Sequence, residues 1–177
     1  MRSRYQFKDP YRAHFITCSI VEWLPVFTTG ACCNILVDSL NFCRSQKGLK
    51  IHAWVILDNH FHAIISGPEL SHTVTDLKKF TARSLLFQVE SEGRKWLLNL
   101  FAYFRKAHKK MSDFQVWQEG SHPQAISSDE MMYQKIDYVH NNPVKRGLVL
   151  APQHWRYSSA HEWLPGAVPL LKCDPWR

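Results

Sequence analysis

The stretch LKIHAWVILDNHFHAIIS, from Leu49 to Ser66, decides how the chain is read. It contains two apolar runs joined by Asp58-Asn59, a pair that suits a tight turn because Asn accepts left-handed dihedrals. The expected unit is a β-hairpin. Residues two apart in a strand share a face. Strict alternation therefore puts Leu49, Ile51, Ala53, Val55 and Leu57 on one face, beside Phe61, Ala63 and Ile65. His52, Trp54 and Ile56 fall on the other, beside His60, His62 and Ile64. Two imidazoles side by side on an apolar strand are costly in a core unless something pairs with both rings. A metal ion is one such partner.

Outward from the hairpin, AHFITCSIV (Ala13–Val21) reads as a first strand, being rich in aromatic and β-branched residues. Thr28-Thr29 is a helix-cap signal, and Cys32, Ile35, Leu36, Ser39, Leu40 and Cys43 recur at helical spacing until Gly48. Gly67-Pro68 stops the third strand. Val74, Leu77, Thr81, Leu85 and Gln88 mark one face of a second helix, with Lys78, Lys79 and Arg83 around it. KWLLNLFAYFRKAHKK, within Glu92–Ser112, is apolar then basic and has helical character. A short strand is expected at Phe114–Gln118. Ser127 with Glu130 forms a capping-box pattern that opens a third helix, and Pro143 is expected to end it.

The order strand, helix, strand, strand, helix, strand, helix predicts an α+β fold. It would be a ferredoxin-like (RRM-like), mostly antiparallel sheet with helices packed on it. Residues 1–150 would form the domain, and 151–177, rich in Pro and Trp, a packed tail.

With 22 Lys and Arg against 15 Asp and Glu, the net charge of +7 makes a polyanion, nucleic acid above all, a plausible partner. Lys78, Lys79, Arg83, Lys106 and Lys145 are candidate backbone contacts. Five cysteines without a CxxC pair argue against a zinc ribbon or a secreted disulfide framework. No stretch has the apolar length of a membrane span. The polar, basic N-terminus is not expected to be a signal peptide. A cytoplasmic, nucleoid-associated location is expected.

On the third helix, Met132, Ile136 and Val139 form an apolar stripe. Tyr138 lies about 200° round from Ile136 and shares a polar face with Gln134, Lys135 and Asn142. Tyr138 and Asn142, four apart, are neighbours. Taken singly, each feature has a plain structural explanation: a packing tyrosine, a helix stop at Asn142-Pro143, a structural histidine pair.

Together they resemble a family. NHFHAII (Asn59–Ile65) resembles the His-hydrophobe-His motif of the HUH single-strand DNA endonucleases. YVHNNPVKRGLV (Tyr138–Val149) resembles the tyrosine helix of the REP-associated tyrosine transposases. HFIT, VWQEGSHP and HWRYSSAHEW are also similar to that family, in the same order. The resemblance implies a divalent ion, magnesium or manganese, on His60 and His62, with Asn142 as a third, amide ligand. It implies Tyr138 as nucleophile, giving a 5′-phosphotyrosine link and a free 3′-OH, on single-stranded DNA next to hairpins. A homodimer is among the assemblies it allows. The alternative is a catalytically idle hairpin-DNA-binding protein on the same fold.

Overall fold

The computed structural model describes residues 7, 9, 12–108 and 112–176. The chain runs β1 (His14–Ser19), α1 (Gly30–Lys47), β2 (Lys50–Ile56), β3 (His60–Ser66), α2 (Leu70–Ser91), α3 (Lys95–Tyr103), β4 (Gln124–Ala125) and α4 (Asp129–Lys145). The strands form one antiparallel sheet in the order β2-β3-β1-β4. This is the split βαβ arrangement expected of a ferredoxin-like α+β fold. Among the described residues no helix is long and apolar enough to cross a membrane.

Burial follows the pleat. Ile16 and Cys18 of β1, with Phe61, Ala63 and Ile65 of β3, join a core with Leu36 and Leu40 of α1 and Leu77 and Leu85 of α2. The opposite face carries a smaller core in which Phe15 and Ile64 meet Met132 and Val139 of α4. So α1 and α2 cover one face of the sheet and α4 the other.

The hairpin departs from strict alternation. Ile51 pairs with Ile65, but Ala53 pairs with Ile64, so His52 is an extra residue in β2. This bulge flips the phase of the strand. Ile51, Trp54 and Ile56 all face the larger core. Ala53, Val55 and Leu57 face α4 instead of lying beside Phe61, Ala63 and Ile65. The bulge is held from outside: His52 Nε2 meets Ser66 Oγ at 2.8 Å and His52 Nδ1 meets the Asp174 carbonyl at 3.0 Å. The Ile51 N–H donates to the Asp174 carboxylate (2.9 Å), which Arg44 grips with two further bonds. The residues after 150 thus pack along β2, and Trp155 and Trp54 donate their indole N–H groups to Ile56 O and Leu171 O.

Other boundaries also differ. Phe114–Gln118 is not a strand. Gln115 N bonds Phe101 O, while Val21 N to Val116 O and Gln118 N to Ser19 O together make one isolated bridge between Ile20 and Trp117 rather than a ladder. The fourth strand is instead Gln124–Ala125, against His14 and Phe15. Ser128, not Ser127, caps α4, accepting from Met131 N at 3.1 Å. Pro143 does not end that helix. It falls in the last turn, where its missing N–H costs one bond; it is buried, and Arg146 N still reaches Asn142 O at 3.1 Å. Of the described residues between Glu92 and Ser112, only Lys95–Tyr103 is helical; residues 109–111 lie outside the described residues.

Candidate active site

β3 is an inner strand, and its period of two aims both histidines at the α4 face. His60 Nε2 and His62 Nε2 lie 3.1 Å apart. Phe61 points the other way and packs edge-on against Trp117. β1 supplies the partners opposite: Ser19 pairs with His60 and Thr17 with His62.

Each ring is oriented through its other nitrogen. His60 Nδ1 is 2.6 Å from Asn59 Oδ1. An amide oxygen only accepts, so His60 donates from Nδ1 and keeps its lone pair on Nε2. His62 Nδ1 is 2.8 Å from Thr17 Oγ1. A hydroxyl can donate or accept, so His62 has two tautomers open to it. With Thr17 donating, His62 Nε2–H bonds to His60. With Thr17 accepting, both Nε2 lone pairs face one point. Two nitrogens 3.1 Å apart on bonds of about 2.1 Å subtend about 95° at that point, an angle suited to neighbouring positions of an octahedral ion. The pair therefore fits a divalent metal. Among the described residues no group of three or more His, Cys, Asp or Glu is built to hold one.

Burial keeps the rings neutral. His60 and His62 are 8% and 4% exposed. Burial, helped by the Arg146 charge, lowers the His60 pKa to about 4. Burial, then the neighbouring His60, lowers that of His62 to about 3. Neutral imidazole is the form that binds metal. The five cysteines are unpaired. Burial pushes the thiols of Cys18 up to about 11 and of Cys33 and Cys173 up to about 12, so these are not nucleophiles at neutral pH.

α4 lays Tyr138 against this pair. Its ring centre is 5.3 Å from that of His62 and 5.7 Å from that of Phe15, which stacks on His62. Tyr138 is 40% exposed, so it stands between the buried histidines and solvent. Lys145 Nζ lies 5.4 Å and Lys135 Nζ 5.9 Å from the Tyr138 ring centre. Asn142, one turn on, is largely buried, yet its amide makes no hydrogen bond to the described residues.

Of the sequence candidates, His60, His62, Tyr138 and Lys145 thus come together. Lys78, Lys79 and Arg83 lie elsewhere, on α2, lining a cavity of about 880 Å³ closed by residues of 112–123. Lys78 is already engaged, donating to Gln118 O (2.6 Å) and Gly120 O. Lys106 pairs with Glu119. The groove and Tyr138 occupy opposite faces of the sheet and meet along the edge of β1, where Thr17 N bonds Ser121 O. Sequence reasoning did not single out Thr17, Asn59, Phe15 or Arg146 as site residues. Thr17 lies in the HFIT motif and Asn59 in NHFH, but their roles depend on cross-strand register.

No family model matches the chain. A search among curated proteins finds a Haemophilus influenzae protein named "Putative REP-associated tyrosine transposase", 27% identical over 106 residues. That alignment covers 60% of this chain and 56% of the relative, so it spans little more than half of the relative's length. A solved REP-associated tyrosine transposase bound to a REP hairpin superposes with a TM-score of 0.64, at 20% identity, over 99% of this chain and 93% of that one. The chain resembles the REP-associated tyrosine transposases. At 20% identity the structural likeness is one of fold, shared over nearly the whole of both chains.

Proposed function

We propose that the chain binds hairpin DNA and cleaves and rejoins the single strand beside it, with Tyr138 as nucleophile and a divalent ion on His60 and His62. The observation that carries this reading is the meeting of two neutral imidazoles, Nε2 to Nε2 at 3.1 Å, with a half-exposed tyrosine ring against one of them. The solved relative's REP hairpin and the +7 charge support DNA as the partner.

A phosphodiester is an anion and resists attack by a phenolate. A metal ion on the two imidazoles would withdraw charge from the phosphate oxygens and orient them. Tyr138 Oη attacks phosphorus, the bond to O3′ breaks, the phenol proton passes to solvent and O3′ takes up a proton. The products are a 5′-phosphotyrosine and a 3′-OH. Rejoining is the reverse, so no nucleotide cofactor is consumed. Lys135 and Lys145 put positive charge beside the phenol, where the reacting phosphate must approach. Asn142, with its amide uncommitted among the described residues, is the proposed third ligand. Lys79 and Arg83 are proposed to hold duplex backbone in the α2 groove, with the strand turning round the β1 edge to reach Tyr138.

Incubation with end-labelled hairpin DNA carrying single-stranded flanks, with and without Mg²⁺ or Mn²⁺, tests the proposal on a denaturing gel. A metal-dependent covalent complex is expected. Tight binding without any adduct would favour the idle hairpin-binding protein.

A further inference from the structure

Between β1 and α1 the chain makes the turn Val21-Glu22-Trp23-Leu24. Val21 and Leu24 are buried, while Trp23 is 53% exposed. A tryptophan half in water is not placed there by its own burial. The backbone is also unusual: Glu22 has φ 48° and Trp23 φ 55°, two successive non-glycine residues in the left-handed region. Such conformations persist only where the surroundings over-determine them. Here Val21 N bonds Val116 O and Ile20 N bonds Asn59 O, both at 2.8 Å.

The second of those anchors fixes what the indole faces. Asn59 is also the residue that orients His60. Trp23 accordingly stands edge to face with His60, ring centres 5.7 Å apart. Ring contacts then run from Trp23 to His60, from His60 to His62 and from His62 to Tyr138. The two exposed aromatics occupy opposite ends of the histidine pair.

We propose that Trp23 is a stacking platform for the unpaired base on the 5′ side of the phosphate held at His60 and His62. This rests on the function proposed above. In an in-line displacement the leaving oxygen departs on the side away from the nucleophile. With Tyr138 beside His62, that side is the His60 end, where Trp23 stands. The base belongs to the nucleotide whose O3′ leaves. Stacking on an indole accepts any base, because every base has a π-face, but only if that base is unpaired. Trp23 therefore selects single-strandedness at the cleavage point. It also keeps the freed 3′-OH near the phosphotyrosine for rejoining.

The test is affinity by fluorescence anisotropy in a Tyr138→Phe background, so that the strand stays whole. Abasic sites are scanned through the single-stranded flank, with the cleaved phosphate mapped beforehand using the unaltered protein. One abasic site, immediately 5′ of that phosphate, is expected to weaken binding by roughly 5- to 150-fold, the range for loss of one stacked base. Adding Trp23→Ala should reduce that penalty to less than about 2-fold on the same scale, and Trp23→Phe should keep part of it. Trp23→Ala in the otherwise unaltered protein should lower the fraction of cleaved strand that is rejoined. An abasic penalty unchanged by Trp23→Ala, or no penalty at that position with Trp23 present, overturns the platform while leaving the nuclease reading standing. Failure of the unaltered protein to bind or cut any hairpin DNA overturns both.

Discussion

Thr17→Val exchanges a hydroxyl for a methyl group of almost the same shape on a strand that favours β-branched residues. The hydroxyl is the described partner of His62 Nδ1, at 2.8 Å, and His62 is 4% exposed. The change removes that hydroxyl and leaves the Ile16 carbonyl as the ring's backbone acceptor, so the cost should lie towards the lower end of about 1–3 kcal/mol. The greater effect falls on tautomer. Thr17 accepting from Nδ1 presents the Nε2 lone pair to the shared point, and loss of such an outer partner typically weakens metal binding about 10- to 100-fold. Mn²⁺ titration followed by electron paramagnetic resonance measures the affinity, and urea unfolding measures the stability. Thr17→Ser restores the hydroxyl and should recover most of both. If Thr17→Val binds Mn²⁺ as tightly as the unaltered protein, Thr17 does not set the tautomer and the metal assignment loses its outer support.

Other expectations follow from the same geometry. Ordinary histidines with pKa 6.5 would lose most of their neutral pairs by pH 6, roughly a 15-fold fall in metal affinity. With values lowered to about 4 and about 3, both rings stay neutral there, and isothermal titration should find Mn²⁺ affinity nearly unchanged between pH 7.5 and 6, declining only towards pH 4. A decline centred near pH 6.5 would show that burial does not govern these rings. By the same sign, a group depressed in the fold contributes stability above the unfolded pKa that is lost on acidification; His62→Asn should flatten the fall in thermal stability between pH 6.5 and 4. Affinity for hairpin DNA should drop steeply with salt because backbone charge contacts dominate it, and a salt-independent constant would remove the electrostatic argument. His60→Ala should abolish cleavage while shifting hairpin affinity less than about 3-fold, since phosphate contacts elsewhere position the duplex; equal loss of both in a filter-binding assay would place His60 in the binding surface instead.

Local signals carried the hairpin and both long helices, and the order of elements carried the ferredoxin-like class. Asp58-Asn59 made the turn, Thr29 capped α1 by accepting from Cys32 N, and Gly48 closed it with φ 66°. The bulge at His52 was not legible. HAWVIL alternates well in either phase, and what selects the observed one is Asp174, more than a hundred residues away. The fourth strand was misplaced because FQVWQ has strand composition but meets the end of β1 through a single bridge and otherwise bonds α3. Proline in α4 misled for a related reason: a missing N–H matters little in a last turn whose ring is buried. In the site, the period of two was enough to aim His60 and His62 together. The hydrogen bonds that orient them, and the indole beside them, come from β1, the hairpin turn and the turn after β1, whose register no local pattern encodes.

The most direct measurement is to map the covalent bond itself. The unaltered protein and Tyr138→Phe are each incubated with hairpin DNA and Mn²⁺, digested, and the nucleotide-bearing peptide is sequenced by mass spectrometry. The account predicts an adduct on Tyr138, carrying the 5′-phosphate, and none from Tyr138→Phe, which should still bind the hairpin. An adduct on another tyrosine, Tyr133 being the next on α4 and exposed, or an undiminished adduct from Tyr138→Phe, would contradict it.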